Sequence, residues 1–478
     1  MKKVSLLLGF ILFFVFPGCQ NDYQEPKAKY VFYFIGDGMG VQQVNATQAY
    51  LASLEGAKGN SDLSFTNFPV IGLSTTYAYN RYITGSAAAG TALATGTKTS
   101  INTIGLNHNH TDTLFSIAHY ANKNGFNVGV ATSVSIDHAT PAAFYAHQVS
   151  RSMYHEIAHD MLKSNYRFFA GGGFIDASGQ YSKNPLGDIY KIGKSRGYHF
   201  TSRFEVSDSI LNAASTIVFQ SDSPADGASI SYQIDNHDDG AKLSKIASLG
   251  INALHSNKGF FFMVEGGKID WACHDNDAAA VVHEVIDFSN AIEVAVEFYK
   301  KYPNETLIIV TADHETGGMS LGNRKMRYDS DIAILAKQKL SLEMLDIKVQ
   351  EFFEINPKPK FNQLKEFIFS DAIIAINVDE LSDEHNRILK RAFEQTVNAS
   401  NSSDKNIIKR EYGKHEPVAV AAIAIVNEMA GIGWSSFSHT GSQVPVYALG
   451  VGQEKFSGQM DNTDIPKRIA SVMGITVE

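Results

Sequence analysis

Residues 30–40 read YVFYFIGDGMG, six apolar or aromatic residues followed by a carboxylate, Asp37, among glycines. A continuous apolar run of this kind predicts a strand that is buried on both faces. Glu265 and the pair Asp313-His314 each follow another such run. In an open α/β sheet, residues just past the carboxyl ends of the strands converge on one crevice. We therefore expect these side chains to meet, which would be unfavourable without cations between them.

Strand-like apolar runs recur along the whole chain with helical patterns between them. This alternation predicts an α/β fold, with a mostly parallel central sheet flanked by helices on both faces. The predicted strands are residues 30–35, 127–131, 215–219, 260–264, 306–311 and 445–451.

Residues 325–430 differ from the rest because they are rich in Lys, Glu, Asp and Asn and hold none of the acidic and histidine clusters. We interpret them as an insertion, about 325–430, within a catalytic domain of residues 30–478. A lid or subunit contact and a plain surface excursion without function are equally compatible with this composition.

The overall charge limits the partners. The 478 residues carry a formal net charge of -9, which argues against binding to a nucleic-acid backbone. It does not argue against a small anionic substrate, because bound metals set the local field. Cys19 and Cys273 are the only cysteines, so an exported chain would have no framework of internal disulfides.

The amino terminus predicts export. Lys2 and Lys3 precede an apolar run, residues 4–16, which is too short for a comfortable membrane span and is typical of a secretory signal peptide, residues 1–18. Gly18 before Cys19 loosely resembles a bacterial lipobox, so we expect a lipidated Cys19 and a tether over residues 19–29. The protein would then be a periplasmic, outer-membrane or cell-surface lipoprotein. The alternative is an ordinary cleaved signal peptide with an incidental cysteine.

Three further segments carry candidate metal ligands. Asp270 and His274 lie four residues apart, so on a helix they can reach the same ion. Asp313 and His314 are adjacent at a predicted strand end, and His439 precedes the run 445–451. Each pair alone is weak evidence, but together they predict a centre with several metal ions.

Ser86 lies in the small-residue stretch TGSAAAGTA, residues 84–92, in which residues 87–94 should form a helix. The hydroxyl would then lie at a helix amino terminus, which favours an anion or an alkoxide. Taken alone, Ser86 is better explained as a helix cap. The metal clusters favour a catalytic role instead.

These motifs, from FIGDGMG at residues 34–40 to HTGS at 439–442, resemble those of the alkaline phosphatases over nearly the whole mature chain. The resemblance implies two Zn²⁺ and one Mg²⁺ per subunit and a homodimer. It also implies hydrolysis of phosphate monoesters at alkaline pH through a phosphoserine intermediate. A phosphodiesterase or a sulfatase of the same superfamily is the alternative.

The resemblance also implies a role for each residue. Ser86 would be the nucleophile and Arg151 the phosphate-binding arginine, whose planar fork suits two phosphate oxygens. The metal ligands would be Asp270, His274 and His439 for one zinc ion, Asp37, Asp313 and His314 for the other, and Asp37, Thr140 and Glu265 for magnesium, with Ser86 facing the zinc ions.

Three positions depart from the family pattern. Gly85 stands where members often have an aspartate that helps to hold the arginine, so we expect Arg151 to be looser. His138 and Trp271 replace an aspartate and a lysine near the third metal and its phosphate. With His138 the third site could prefer Zn²⁺, because imidazole is a softer ligand than carboxylate. We therefore expect weaker inhibition by phosphate.

Residues 155–159, HEIAH, are a literal H-E-x-x-H, the signature of zinc proteases. No third-ligand motif follows it. We interpret the segment as the solvated face of an outer helix.

Overall fold

The computed structural model describes residues 27–222, 228–235, 240–398 and 411–477. The predicted signal peptide, Cys19 and most of the predicted tether lie outside these residues. The described strands are β1 (Tyr30–Ile35), β2 (Val70–Thr75), β3 (Asn127–Thr132), β4 (Phe168–Gly171), β5 (Tyr198–Thr201), β6 (Thr216–Gln220), β7 (Phe260–Glu265), β8 (Thr306–Thr311), β9 (Glu315–Thr316), β10 (Ser320–Leu321), β11 (Ile432–Gly433), β12 (His439–Thr440), β13 (Val444–Gly450) and β14 (Gly458–Asp461).

Ten of these strands form one sheet in the order β14-β2-β13-β8-β1-β7-β3-β4-β6-β5. Only β13 pairs antiparallel with its neighbours, β2 and β8, and the other pairs of this sheet are parallel. The short strands β10 and β11, and β12 and β9, form two separate pairs. The predicted α/β fold with a mostly parallel sheet is confirmed.

Helices cover both faces of the sheet. They are α1 (Val41–Leu54), α2 (Ser86–Thr95), α3 (Ile117–Lys123), α4 (Ala139–Ala142), α5 (Tyr154–Ser164), α6 (Ile189–Ser195), α7 (Asp208–Ala213), α8 (Leu243–Leu254), α9 (Lys268–His274), α10 (Ala278–Lys301), α11 (Leu342–Ile355), α12 (Phe361–Ile368), α13 (Asp383–Asn398), α14 (Pro417–Ala430) and α15 (Asp464–Met473). No helix in the described part of the chain is long and apolar enough to cross a membrane.

The continuous apolar strands are explained by two cores, one on each face of the sheet. Side chains alternate along a strand, so in β1 Phe32 and Phe34 enter one core while Val31, Tyr33 and Ile35 enter the other. The first core also contains residues of α1, α8, α10 and α14, and the second contains residues of α2, α3, α5 and α15. Because both faces are dry, the central strands tolerate almost no polar residue.

The segment 325–430 is mainly helical. Of its described helices, α14 is the most buried, with ten buried residues, eight of them in the first core, and it packs against α13 and α11. On α13 the buried side chains are few, and Leu389 and Ala392 are among them.

Candidate active site

The register of the central strands brings the predicted ligands to one edge of the sheet. β1 lies between β7 and β8, and Ile35 is level with Glu265 on one side and with Thr311 on the other. Asp37 and Asp313 each follow two residues after these strand ends. Three adjacent strands therefore deliver carboxylates to the same crevice, as the parallel topology requires.

The glycines around Asp37 make room for these neighbours. Gly38 has φ +74°, in the left-handed region, and a Cβ there would lie 2.9 Å from the Cα of Asp270. Its N–H donates to Oδ1 of Asp313 at 3.3 Å. Only glycine lets the Asp37 loop pass this closely between helix α9 and the Asp313 segment.

The first group of candidate ligands is Asp37, Asp313 and His314, all fully buried. Nε2 of His314 lies 3.5 Å from Oδ1 of Asp37 and 3.3 Å from Oδ2 of Asp313. Neither of these two carboxylate oxygens has a hydrogen-bond partner among the residues that the structure describes. Buried carboxylate oxygens are normally paired, so this arrangement calls for a cation.

The second group is formed by Asp270, His274 and His439. His274 donates from Nδ1 to the carbonyl oxygen of Phe437 at 2.6 Å, and His439 donates from Nδ1 to that of Thr84 at 2.9 Å. Their Nε2 atoms therefore carry lone pairs, and these atoms face each other at 3.1 Å. Oxygens of Asp270 lie 3.4 Å from Nε2 of His274 and 3.6 Å from Nε2 of His439. Two facing lone pairs beside a carboxylate are the donor set of a divalent metal.

The third group joins Asp37 to His138 and Glu265. Thr140 donates to Oδ2 of Asp37 at 3.2 Å, and Thr132 donates to Oε2 of Glu265. Nδ1 of His138 faces Oε1 of Glu265 at 4.0 Å, and neither atom has a hydrogen-bond partner in the described part of the chain. The Trp271 ring lies edge-on to that of His138, with centroids 6.1 Å apart.

Burial sets the electrostatics of these groups. It raises the pKa of Asp313 to about 8 and that of Glu265 to about 7, and neighbouring carboxylates add to the shift of Asp313. The pKa of Asp37 is raised well above its usual range by burial and by Asp313. Burial also lowers the pKa of His314 well below its usual range. The site thus favours protonated carboxyls and neutral imidazoles unless positive charge is supplied.

Divalent metal ions fit this donor set. Among the described residues, the clusters that could hold a metal are Asp37 with Asp313 and His314, Asp37 with His138 and Glu265, and Asp270 with His439 and His314. The last of these has His314 where the second group has His274. Neutral imidazoles and carboxylates suit Zn²⁺, and a site of carboxylate and hydroxyl oxygens suits Mg²⁺. The unpartnered oxygens of Asp37, Asp313 and Glu265 are the structural sign that cations belong there.

Ser86 is the first residue of α2, and Gly85 is its cap. Ser86 is therefore not the helix cap, contrary to the explanation that its position alone favoured. Its Oγ lies 3.4 Å from Nε2 of His314, and Nη1 of Arg151 donates to it at 3.4 Å. A Cβ at Gly90 would lie 3.2 Å from the Cα of Thr140, so this small residue lets α2 pack close to α4.

Arg151 has a second contact that the sequence did not suggest. Its Nη2 donates to Nε2 of His138 at 2.8 Å. His138 therefore touches the arginine on one side and the third group on the other. The structure thus brings together all twelve residues singled out from the sequence.

The H-E-x-x-H helix α5 has a different role, and its interpretation as a solvated face was wrong. His155 and His159 are buried. His155 donates from Nδ1 to the carbonyl oxygen of Asp176 at 2.9 Å and accepts from the N–H of Leu186 at 2.8 Å. His159 donates to the carbonyl oxygen of Gly187 at 2.9 Å. These rings tether the loop of residues 176–187, and neither occurs in a metal-binding group of the described residues.

Sequence reasoning missed a set of supporting residues. Thr316 donates to Oδ1 of Asp270 at 2.6 Å and lies 3.2 Å from Nδ1 of His314, so it links two of the groups. Glu315 and Thr132 are likewise buried beside ligands. Their positions next to Asp313-His314 and at the end of β3 were the available signal, because ligands need partners that orient them.

Comparison with known proteins agrees with this geometry. The family model for alkaline phosphatase matches residues 28–168 and 225–475. The chain is 32% identical to alkaline phosphatase 4 of Bacillus subtilis, over 92% of this chain and 87% of that protein.

Solved structures agree as well. A cold-active alkaline phosphatase from a psychrophilic Shewanella has a TM-score of 0.75 and 27% identity, covering 93% of this chain and 99% of the other. The alkaline phosphatase of the Antarctic bacterium TAB5, in a variant with glutamate replacing a histidine and magnesium in its M3 site, has a TM-score of 0.64 and 26% identity, covering 95% and 100%. The chain belongs to the alkaline phosphatase family and is an enzyme of that kind.

Proposed function

We propose that the protein hydrolyses phosphate monoesters at alkaline pH through a phosphoserine formed on Ser86. The observation that carries this proposal is the position of the Ser86 hydroxyl. It lies at the start of α2, 3.4 Å from both the His314 ring and the Arg151 guanidinium. Exposed N–H groups of the first helical turn and the arginine suit a phosphate dianion.

The family implies divalent metal ions, and we assign two Zn²⁺ and one Mg²⁺. One zinc ion would be held by Asp270, His274 and His439, and the second by Asp37, Asp313 and His314. Asp37, Thr140 and Glu265 would hold magnesium. When bound, these ions lower the pKa of the serine hydroxyl and of water and neutralise charge on the leaving oxygen.

The chain's own residues then perform two displacements. The ionised Oγ of Ser86 attacks phosphorus, the bond to the leaving oxygen breaks, and the alcohol leaves with a proton from water. Hydroxide next attacks the phosphoserine, which releases inorganic phosphate and Ser86. Arg151 orients two phosphate oxygens in both steps.

His138 links Arg151 to the third site. A ring that binds metal through Nδ1 carries its proton on Nε2, and such a ring cannot accept the hydrogen bond that Arg151 makes at 2.8 Å. Binding of His138 to a third-site ion would therefore release Arg151 to phosphate. The relative whose third site holds magnesium carries glutamate in place of a histidine. We infer that His138 is the counterpart of that histidine and shifts the preference of this site toward Zn²⁺.

Room for the leaving group lies beside the second ligand group. A cavity of about 710 Å³ is lined by His274 and His439 together with Tyr82, Ile83 and Ile101. We also propose that the enzyme is exported, is anchored through Cys19 and acts as a homodimer. Mass spectrometry of the mature amino terminus and light scattering test these three points.

The test of the function is hydrolysis of p-nitrophenyl phosphate at pH 7 to 10, before and after chelation and after Zn²⁺ and Mg²⁺ are restored. We expect alkaline activity that is lost on chelation and regained only with both metals. Ser86→Ala should lower kcat by at least about 10³-fold without loss of metal, because the attacking atom is removed.

Two further substrates separate the alternatives. Bis-p-nitrophenyl phosphate tests a phosphodiesterase, and p-nitrophenyl sulfate tests a sulfatase. A higher kcat/KM for either one than for the monoester would overturn the proposal. Full activity of Ser86→Ala would overturn the phosphoserine step alone.

A further inference from the structure

Glu315 is a buried carboxylate that belongs to none of the three ligand groups. Only 4% of its surface is exposed. Oε1 accepts from Nε2 of Gln43 at 2.8 Å and from the N–H of Met319 at 3.2 Å. Oε2 accepts from the N–H of Gly318 at 3.2 Å and from the hydroxyl of Thr440. Each oxygen of this carboxylate thus accepts two hydrogen bonds from the protein itself, and neither needs a cation.

The partners of Glu315 come from separate ligand-bearing segments. Glu315 itself follows Asp313-His314, and Thr440 follows His439. The two residues are level with each other in the short antiparallel pair of β9 and β12. This pair is only two residues long on each strand, so its own ladder gives it little stability. The Glu315–Thr440 hydrogen bond fixes the strand on which His439 lies.

Gln43 extends the connection to the Asp37 segment and to α9. It lies near the start of α1, just after the Asp37 loop, and its Nε2 also donates to the carbonyl oxygen of Thr316 at 2.9 Å. The same atom lies 3.7 Å from Sγ of Cys273, the neighbour of His274.

The glycine-rich loop is shaped around the same carboxylate. A Cβ placed at Gly40 would overlap Cγ of Glu315. Gly40 is thus required by the close approach of Glu315 to the start of α1. The start of α1 and the Glu315 segment approach this closely only because Gly40 has no side chain.

We propose that Glu315 is a positioning residue that holds the His439 strand against the Asp313-His314 turn and so sets the affinity of the zinc sites. This inference rests on the proposed function for the identity of the ligands. Residues that orient metal ligands typically change metal affinity by about 10- to 100-fold when they are replaced.

The experiment measures Zn²⁺ affinity directly. Metal-free protein is titrated with Zn²⁺ against a chromogenic chelator for wild type, Glu315→Gln and Thr440→Val. Glu315→Gln keeps the shape and one acceptor oxygen but places an NH₂ group against at least one donor. We expect it to weaken Zn²⁺ binding by about 10- to 100-fold. Thr440→Val should act in the same direction and less strongly.

The double variant tests whether the two residues act together. If they do, Glu315→Gln with Thr440→Val weakens Zn²⁺ binding by less than the product of the two single effects. Glu156→Gln is the matched control. Glu156 lies on helix α5 and accepts a hydrogen bond from the Ser182 hydroxyl at 2.6 Å, so this variant should leave Zn²⁺ binding unchanged.

If Glu315→Gln binds Zn²⁺ with an affinity within twofold of the wild-type value, the inference is overturned, even if the variant melts at a lower temperature. That result would mean that Glu315 stabilises the fold without setting the zinc sites. Wild-type protein that binds no Zn²⁺ would instead overturn the proposed function. The two failures are therefore distinguishable.

Discussion

Two regions of the molecule bring imidazole rings close together, and only one of them is arranged for metal. At the carboxyl ends of β1, β7 and β8, oxygens of Asp37 and Asp313 are buried without partners among the described residues. On helix α5, His155 and His159 are also buried, with ring centroids 4.5 Å apart. There, however, both ring nitrogens of His155 and one ring nitrogen of His159 form hydrogen bonds with backbone groups of residues 176–187.

Beside α5, Oδ1 of Asp176 also has no partner among the described residues. The difference therefore shows that a metal centre is recognised by unmet acceptors that face imidazole nitrogens, rather than by a motif or by an unmet acceptor alone. Both regions have one ring nitrogen donating to a carbonyl oxygen. Only at the strand ends does the other nitrogen face carboxylates or a second imidazole. The loop tied by α5 lies in residues 169–224, which the family model does not match. His155 and His159 on α5 are therefore explained by their hydrogen bonds to this loop, which lies outside the residues that the family model matches.

Of the variants that compare these two regions, Asp313→Asn is expected to have the largest effect. Asp313→Asn should lower kcat/KM by more than about 100-fold, because loss of a ligand costs more than loss of its support. In the folded metal-free protein, Asp313 and Glu265 have pKa values of about 8 and 7, so they keep their protons to higher pH than usual. The unfolded chain releases the same protons above about pH 4. Wild-type metal-free protein should therefore lose stability as pH rises from 4 to 8, and Asp313→Asn should lose less. Urea unfolding with chelator at pH 5.5 and 8 measures this.

Glu284→Gln is the control for that prediction. Burial raises the pKa of Glu284 to about 8, yet its oxygen accepts from the N–H of Gln233 at 2.6 Å, away from the ligand groups. The variant should reduce the pH dependence of stability and keep full activity. An inactive Glu284→Gln, or an active Asp313→Asn, would erase the proposed contrast between these carboxylates.

Arg151→Ala should have the next largest effect. Loss of a charge-assisted contact to phosphate is worth about 1.5–3 kcal/mol, so kcat/KM should fall by about 10- to 100-fold. Arg151→Lys keeps the charge and should lose less. Steady-state kinetics with p-nitrophenyl phosphate measure both, and an unchanged Arg151→Ala would remove the arginine from the site.

His138→Asp with Trp271→Lys should tighten inhibition by phosphate by about tenfold, because a lysine adds a charge-assisted contact and an aspartate favours a harder third-site ion. The inhibition constant for phosphate is the measurement, with each single variant as its control. An unchanged constant would refute this account of the third site.

The smallest catalytic effect is expected on α5. His159→Ala removes the hydrogen bond to Gly187 and should destabilise the fold by about 1–2 kcal/mol, while zinc content and kcat/KM stay at wild-type values. Denaturant unfolding and metal analysis measure this. Loss of a zinc ion from the variant would make the two regions alike.

Most of the buried strands were predicted from the sequence, because a continuous apolar run is a local signal. The six predicted strands lie within one residue of β1, β3, β6, β7, β8 and β13. The sequence did not predict β2, whose VIGLST is interrupted by Gly72 and exposes Ile71 and Leu73. It also did not predict the short buried strand β4 or the short edge strands β5 and β14. These strands owe their pairing to neighbours that are distant in sequence.

The supporting residues of the site were beyond local reasoning for the same reason. The role of Glu315 depends on Gln43 and Thr440, which are 272 and 125 positions away. The i, i+4 spacing of His155 and His159 predicted a shared face but not that this face is buried.

The most direct test of the central claim is a crystal structure of the wild-type protein with anomalous scattering measured at the zinc edge. The account predicts zinc peaks between Asp270, His274 and His439 and between Asp37, Asp313 and His314, and no peak at His155 and His159. A peak on helix α5, or strand ends without metal in protein that hydrolyses p-nitrophenyl phosphate, would contradict it.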